Sequence, residues 1–182
     1  MGDVMRLTIL RHAPIIGDGR VVGRRDLPAD CTGAGALAPH LPRGAQVLVS
    51  PALRCRQTAA ALSLTPDRAE PALWEQDLGA WQGLPFDRLP DLGPLPPQAL
   101  ARHRPEGAES FDDMAARVVP LLRGLDRDTL IVAHAGTVRA ALSMVVGPAA
   151  LAFSVDPLSM TVLRRAGSDW AVEATNITLG AA

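Results

Sequence analysis

The sequence predicts an α/β fold: a three-layer α/β/α sandwich with a mostly parallel sheet and a C-terminal antiparallel hairpin. Three observations carry it. Short, largely apolar runs such as Leu7-Thr8-Ile9-Leu10 and Thr129-Leu130-Ile131-Val132-Ala133 have the length and composition of strands buried on both faces. Strand-like and helix-like segments alternate along the chain, as βαβ units require. Near the end, two strand-like runs flank Arg165-Ala166-Gly167-Ser168-Asp169, a turn that suits a hairpin.

Met5 to Leu10 reads as the first strand. Thr32 to Leu41 reads as a weak helix capped by Thr32, with Gly33 and Gly35 against it. Gln46 to Val49 is a second strand, ending at Ser50-Pro51. Ala52 to Leu64 is a helix with Leu53, Ala60 and Leu64 along one face, stopped by Thr65-Pro66-Asp67. From Leu84 to Gly107 proline and glycine dominate, which predicts an excursion over the site with a short helix near Gln98 to His103. Ser110 then caps a helix, with Asp113 in the capping-box position. Phe111, Met114, Val118, Leu122 and Leu125 share its inner face, and Pro120 bends or interrupts it. Strand Thr129 to Ala133 follows, then helix Val138 to Val146, stopped by Gly147-Pro148. Ser159 to Arg164 and Trp170 to Thr175 form the hairpin.

The 182 residues suit one domain over 1–182, with the excursion at about 84–107 as its one long loop. A hydrophobic share of 48% with 20% charged residues marks a soluble globular class. A net charge of −1 gives no electrostatic case for a nucleic-acid or membrane partner, and 3% aromatic content argues against base stacking. The start has no secretory pattern, and no run approaches the roughly 18 apolar residues of a membrane span. Cytoplasmic residence is the expectation. Cys31 and Cys55 are too few for a disulfide framework and lack metal spacing; Cys55 reads as a reduced structural thiol.

The chemistry gathers at strand ends. Arg11 and His12 follow the first strand, and His134-Ala135-Gly136 follows Thr129 to Ala133. In open α/β sheets that edge binds ligands. Arginine presents a planar fork of donors suited to phosphate, and histidine is a nucleophile or proton carrier near neutral pH. Two further segments join them: Ser50-Pro51-Ala52-Leu53-Arg54-Cys55-Arg56-Gln57-Thr58-Ala59, and Leu73-Trp74-Glu75-Gln76-Asp77-Leu78-Gly79-Ala80-Trp81-Gln82-Gly83. Two histidines, two arginines and a carboxyl group suit phosphoryl transfer, in which positioning and charge stabilisation do most of the catalysis.

On these four motifs, in this order, the chain resembles the histidine phosphatase, or phosphoglycerate mutase-like, superfamily over nearly its whole length. The resemblance implies that His12 is the nucleophile that becomes phosphorylated. Arg11, Arg54 and His134 would hold the non-bridging oxygens, with Ala135 beside them. Glu75 would protonate the leaving oxygen and then activate water, which asks for a raised pKa. No metal or cofactor is implied; the expected partner is a small phosphomonoester. Two departures stand out. Ala13 replaces a usual glycine, and Pro14-Ile15-Ile16-Gly17-Asp18-Gly19 lacks a frequent acidic residue and asparagine. Arg24 or Arg25 would substitute for the lost phosphate contact.

Plainer readings apply elsewhere. His40 and His103 read as surface histidines, Arg56 as solvated, and Trp74 and Trp81 as packing residues. Asp77 competes with Glu75 for the acid role. Glu109 reads as a carboxylate at a helix start. The short chain favours a phosphatase over a mutase. Gly23-Arg24-Arg25-Asp26-Leu27-Pro28 and Gly107-Ala108-Glu109-Ser110-Phe111 resemble the α-ribazole-5′-phosphate phosphatase branch of cobalamin assembly. An apolar rim of Pro14, Ile15 and Ile16 facing Leu84, Pro85 and Phe86 would suit a nucleoside-like leaving group. Mutase-type transfer, protein phosphohistidine hydrolysis and non-catalytic phospholigand binding remain as alternatives. The hairpin edge offers a surface for a homodimer, with nothing distinctive on it.

Overall fold

Residues 4–179 are described by the computed structural model. One six-stranded sheet organises them. Its strands are β1 (Val4–Arg11), β2 (Gln46–Val49), β3 (Arg68–Ala69), β4 (Thr129–Ala133), β5 (Met160–Ala166) and β6 (Asp169–Ile177), in the order β3-β2-β4-β1-β5-β6. The pairs β3·β2, β2·β4 and β4·β1 are parallel, and β1·β5 and β5·β6 are antiparallel. The mixed sheet with its terminal hairpin is therefore the expected one.

Alternation of side chains along the central strands splits the core into two layers. Leu7 and Ile9 of β1, with Ile131 and Ala133 of β4, pack against α2 (Pro97–Arg102), α3 (Phe111–Arg123) and α4 (Ala135–Val146). Leu10, Leu130 and Val132 point the other way, onto α1 (Leu53–Ala61) and the 3-10 turn Ala34–His40. Every residue of β4 is buried, which explains its unbroken apolar run.

Several boundaries differ from expectation for local reasons. Thr32 caps no helix; a 3-10 turn opens at Gly33 instead, which sits at φ 76°, a left-handed conformation that glycine adopts freely. Helix α1 ends at Ala61 with Leu62 as its C-cap, and Ser63 turns left-handed at φ 55°, before the Thr-Pro-Asp stop. Strand β3 was not anticipated: both of its residues are exposed, so it carries no apolar signal. Helix α4 starts three residues early, directly after His134. The capping box at Ser110 forms as expected, with Ser110 Oγ accepting from the Asp113 N–H at 3.1 Å and Asp113 Oδ2 accepting from the Ser110 N–H at 2.8 Å. Pro120 sits inside α3 without ending it.

No membrane-length apolar run was expected, yet the helical stretch Ala135–Ala152 spans 18 residues at a mean hydropathy of 1.4. Gly147, at φ 61°, divides it into α4 and a 3-10 segment, and Val138, Ala140, Ala141 and Leu142 are buried in the core.

Candidate active site

Strand register places the two histidines together. Arg11 of β1 pairs with Ala133 of β4, so the next residue on each strand is a histidine. The His12 N–H donates to the Ala133 carbonyl at 2.9 Å, and the N–H of Ser50, directly after β2, donates to the Val132 carbonyl at 3.0 Å. Ser50, His134 and His12 thus form a row across the carboxyl ends of three adjacent parallel strands. The two imidazoles meet edge to face, with ring centroids 5.3 Å apart and planes at 67°.

His12 is held in one tautomer. Its Nδ1 lies 2.7 Å from the Ala13 carbonyl, which accepts only, so Nδ1 carries the proton and Nε2 keeps its lone pair. The Ala13 N–H donates to Thr58 Oγ1 at 2.9 Å. Ala13 is fully buried and has no positive φ, so alanine sits here without backbone strain. Burial, reinforced by the Arg54 and Arg11 charges, pushes the His12 pKa down to about 3. His134 is fully buried, with Nε2 2.8 Å from Ser50 Oγ, and burial followed by Arg54 lowers its pKa well below the usual imidazole range. Both rings are therefore neutral at pH 7.

Two guanidinium groups flank these rings. Arg11 donates through Nη1 to the Val155 carbonyl. Arg54, with 1% of its surface exposed, donates to the Gly23 carbonyl and the Arg25 carbonyl, each at 2.9 Å. Asp26 Oδ1 accepts from the Leu53 N–H at 2.6 Å, so segment 23–26 is clasped around the start of α1. The Nε atoms of Arg11 and Arg54 are both buried with no hydrogen-bond partner among the described residues. Orphaned buried donors are costly, and two on neighbouring cations create a local demand for acceptor oxygens.

Glu75 comes from the loop after the 3-10 turn Pro71–Leu73. Its Oε1 accepts from the Gln76 N–H at 3.0 Å, and its Oε2 lies 3.5 Å from the Gly136 N–H. The carboxylate occupies the N-terminal turn of α4, where helix N–H groups lack intrahelical acceptors. A Cβ on Gly136 would overlap Glu75 Oε1 and approach Met114 Sδ to 2.7 Å. Ala135, the first residue of α4, belongs to the same turn. Asp77, the other candidate carboxylate, is engaged in the turn: its Oδ1 accepts from the Gly79 N–H at 2.9 Å and from Gln82 Nε2 at 3.2 Å.

Arg24 departs from the expectation of a free phosphate donor. Its Nη2 bonds Glu109 Oε1 at 3.0 Å and its Nε donates to the Glu75 carbonyl at 3.2 Å. Arg25 is likewise engaged, with Asp18 at 3.5 Å. Glu109 is not a simple helix-start carboxylate: it accepts from Arg24, from the Asp77 N–H at 3.1 Å and from Arg117 through both oxygens. His103 is half-buried: it stacks on Trp81 at 5.4 Å, with its Nε2 atom buried. Its place in a proline-rich stretch carries no signal of this. Cys55 is fully buried with its pKa pushed up to about 12 by burial, and lies 3.6 Å from His134 Nε2. Arg56 is exposed.

Residues 7–178 match the family model for the histidine phosphatase superfamily (branch 1). The chain is 35% identical over 149 residues to the bifunctional protein Rv2228c of Mycobacterium tuberculosis, a match covering 74% of this chain and 40% of that protein. It thus spans about two fifths of the length of the curated relatives it matches. Among solved structures, the mycobacterial glucosyl-3-phosphoglycerate phosphatase Rv2419c superposes with a TM-score of 0.81 at 27% identity, over 97% of this chain and 100% of that one. The protein TTHB049 of Thermus thermophilus superposes with a TM-score of 0.76 at 29% identity, over 96% and 100%.

Proposed function

This chain belongs to branch 1 of the histidine phosphatase superfamily, and from that membership we propose a metal-independent phosphomonoesterase that works through a phosphohistidine on His12. The observation that carries the proposal is the state of His12: a neutral ring with its proton fixed on Nδ1 by the Ala13 carbonyl, between two cations. That leaves the Nε2 lone pair as the nucleophile.

In the first step Nε2 attacks phosphorus and the ester P–O bond breaks. Glu75, protonated, gives its proton to the departing alkoxide. Arg11 and Arg54, with His134 and the first turn of α4, stabilise charge on the non-bridging oxygens. In the second step the Glu75 carboxylate takes a proton from water, oxygen attacks phosphorus and the P–N bond breaks. Inorganic phosphate leaves and His12 returns to its starting form.

For the substrate we favour α-ribazole-5′-phosphate, whose leaving group is the alcohol α-ribazole. Gln76, next to Glu75 in sequence, lines a cavity of about 250 Å³ with walls of Leu78, Trp81, Leu92, Leu100 and Leu151 and further polar groups on His103 and Arg139. Ile15 and Phe86 of the expected rim share the wall of a smaller cavity of about 90 Å³. Mostly apolar walls with a few polar groups suit a neutral, ring-bearing alcohol better than a small polyanion.

The test is hydrolysis in excess chelator by the wild type and His12→Ala, across α-ribazole-5′-phosphate, glucosyl-3-phosphoglycerate, 3-phosphoglycerate and a phosphohistidine peptide. Turnover that survives chelation and disappears in the variant supports the reaction class. Preference for α-ribazole phosphate supports the substrate. A phosphoglycerate preference removes the substrate proposal and leaves the chemistry. Phosphate binding by folded wild type with no turnover on any ester makes the protein a phospholigand binder.

A further inference from the structure

The loop bearing Glu75 belongs to no strand and no α-helix, yet a general acid must be held to within a fraction of an ångström. Its backbone carbonyls are bound by one side chain from α3. Arg117 Nη1 donates to the Ala72 carbonyl at 2.6 Å and the Trp74 carbonyl at 2.7 Å, and Nη2 donates to the Glu75 carbonyl at 3.0 Å. Arg24 Nε reaches the same Glu75 carbonyl at 3.2 Å from the opposite side of the sequence.

Glu109 closes the arrangement. Its Oε1 accepts from Arg117 Nε and Arg24 Nη2, each at 3.0 Å, and its Oε2 accepts from Arg117 Nη2 at 2.9 Å. The same oxygen accepts from the Asp77 N–H at 3.1 Å. Its backbone pairs with the loop as well: the Glu109 N–H donates to the Asp77 carbonyl at 3.0 Å, and Gln76 Nε2 donates to the Glu109 carbonyl at 2.9 Å. Burial alone would raise the Glu109 pKa; the Arg117 and Asp77 hydrogen bonds and the charges of Arg117 and Arg24 outweigh it and hold the carboxyl ionised. Side-chain exposure is 21% for both Arg117 and Glu109, so this is a partly desolvated pair and not a surface bridge.

We infer that Arg117 and Glu109, with Arg24, form a cradle that positions the Glu75 carboxyl over the His12 site, without themselves touching substrate. A planar fork is required, because one group must serve three carbonyls and both carboxylate oxygens. Glu109 gives the fork its fixed orientation and neutralises one of the two cations beside the acid. This inference rests on the general-acid role proposed for Glu75.

A purely structural role and a positioning role differ in leaving-group dependence. An alkoxide needs a proton as it departs, whereas a dinitrophenolate does not. The experiment compares wild type, Glu75→Gln, Arg117→Lys, Glu109→Gln and the double variant Glu75→Gln/Arg117→Lys on an alkyl phosphate and on 2,4-dinitrophenyl phosphate. Arg117→Lys keeps the charge and most of the volume, and Glu109→Gln is nearly isosteric, so both keep the fold within reach; circular dichroism and thermal melts verify it. The expected result is a fall in alkyl-phosphate kcat of about 100-fold for Arg117→Lys, the scale of a misplaced catalytic group. The pre-steady-state burst of dinitrophenolate, which reports P–O cleavage alone, should keep its rate within about threefold, since no acid is needed there; the later hydrolysis of the phosphohistidine, in which Glu75 is the base, should slow. The double variant should fall no further than Glu75→Gln on the alkyl ester, because a misplaced acid and a missing acid are the same defect.

Equal losses in alkyl-ester kcat and in the dinitrophenolate burst rate, no change in either, or additive losses in the double variant overturn the inference. If Glu75→Gln itself slows alkyl-ester turnover and the dinitrophenolate burst equally, the acid assignment fails first, and the two failures are distinguished by that one variant.

Discussion

Gly136 lacks a side chain in the place that the Glu75 carboxylate occupies. A Cβ there would overlap Glu75 Oε1 and come within 2.7 Å of Met114 Sδ. The late motif His134-Ala135-Gly136 therefore carries two separate requirements: an imidazole at the strand end, and room for the acid in the first turn of α4. Gly136→Ala is expected to displace Glu75 and lower alkyl-phosphate kcat by about 100-fold, the contribution typical of a general acid. The loss of stability should be modest, about 1–3 kcal/mol of overpacking. Steady-state kinetics beside a denaturant titration check both; an active Gly136→Ala enzyme would place the acid elsewhere.

Arg54 has a structural load as well as a phosphate role. It is almost wholly buried and holds two carbonyls of segment 23–26. Arg54→Met is expected to cost about 3–5 kcal/mol, because the buried partners lose their donor. Inorganic phosphate should cease to inhibit the variant at concentrations that inhibit the wild type. Retained phosphate affinity would show that Arg54 only pins the loop.

The neutral histidines give stability a defined pH dependence. The His12 pKa is about 3 in the folded protein against an ordinary 6.5, and His134 is lowered in the same direction. The unfolded chain therefore binds these protons first. Their stabilising contribution is complete above about pH 6.5 and declines as pH falls from there through the folded values, at up to about 1.4 kcal/mol per pH unit for each group. Urea titrations between pH 7 and 5 should show this decline, and His12→Asn should remove one proton's share of the slope. An unchanged slope would mean that His12 is protonated in the folded state.

Cys55 should be inert. Burial pushes its thiol pKa up to about 12, and no surface is exposed. A disulfide reagent added to native protein at pH 8 should titrate at most one thiol, Cys31, and both after denaturation. Rapid native reaction of Cys55 would indicate an opening of the α1 face of the core.

The sheet and the His12–His134 row were legible in the sequence because buried parallel strands are short apolar runs and their ends are abrupt. Arg11-His12 and His134 announced themselves as polar residues directly after such runs. The start of α4 was misplaced because Gly136 reads as a helix breaker, whereas its missing side chain serves Glu75. Strand β3 was missed because Arg68 and Ala69 are exposed and carry no apolar pattern. The cradle was the least legible part. Arg24 and Glu109 lie 85 residues apart and Arg24 bonds the Glu75 carbonyl across 51, so no periodicity links them. The one local sign was Arg117, a charged residue three positions after buried Met114 at the margin of the apolar face of α3.

The most direct test of the account is to trap the phosphorylated protein. Glu75→Gln, incubated with 2,4-dinitrophenyl phosphate and quenched in base, should carry acid-labile phosphate near one equivalent per chain. Mass spectrometry should place it on the peptide containing His12, and His12→Ala should carry none. Steady turnover by the wild type with no phosphate on His12 in either protein, or phosphate on another residue, would contradict the account.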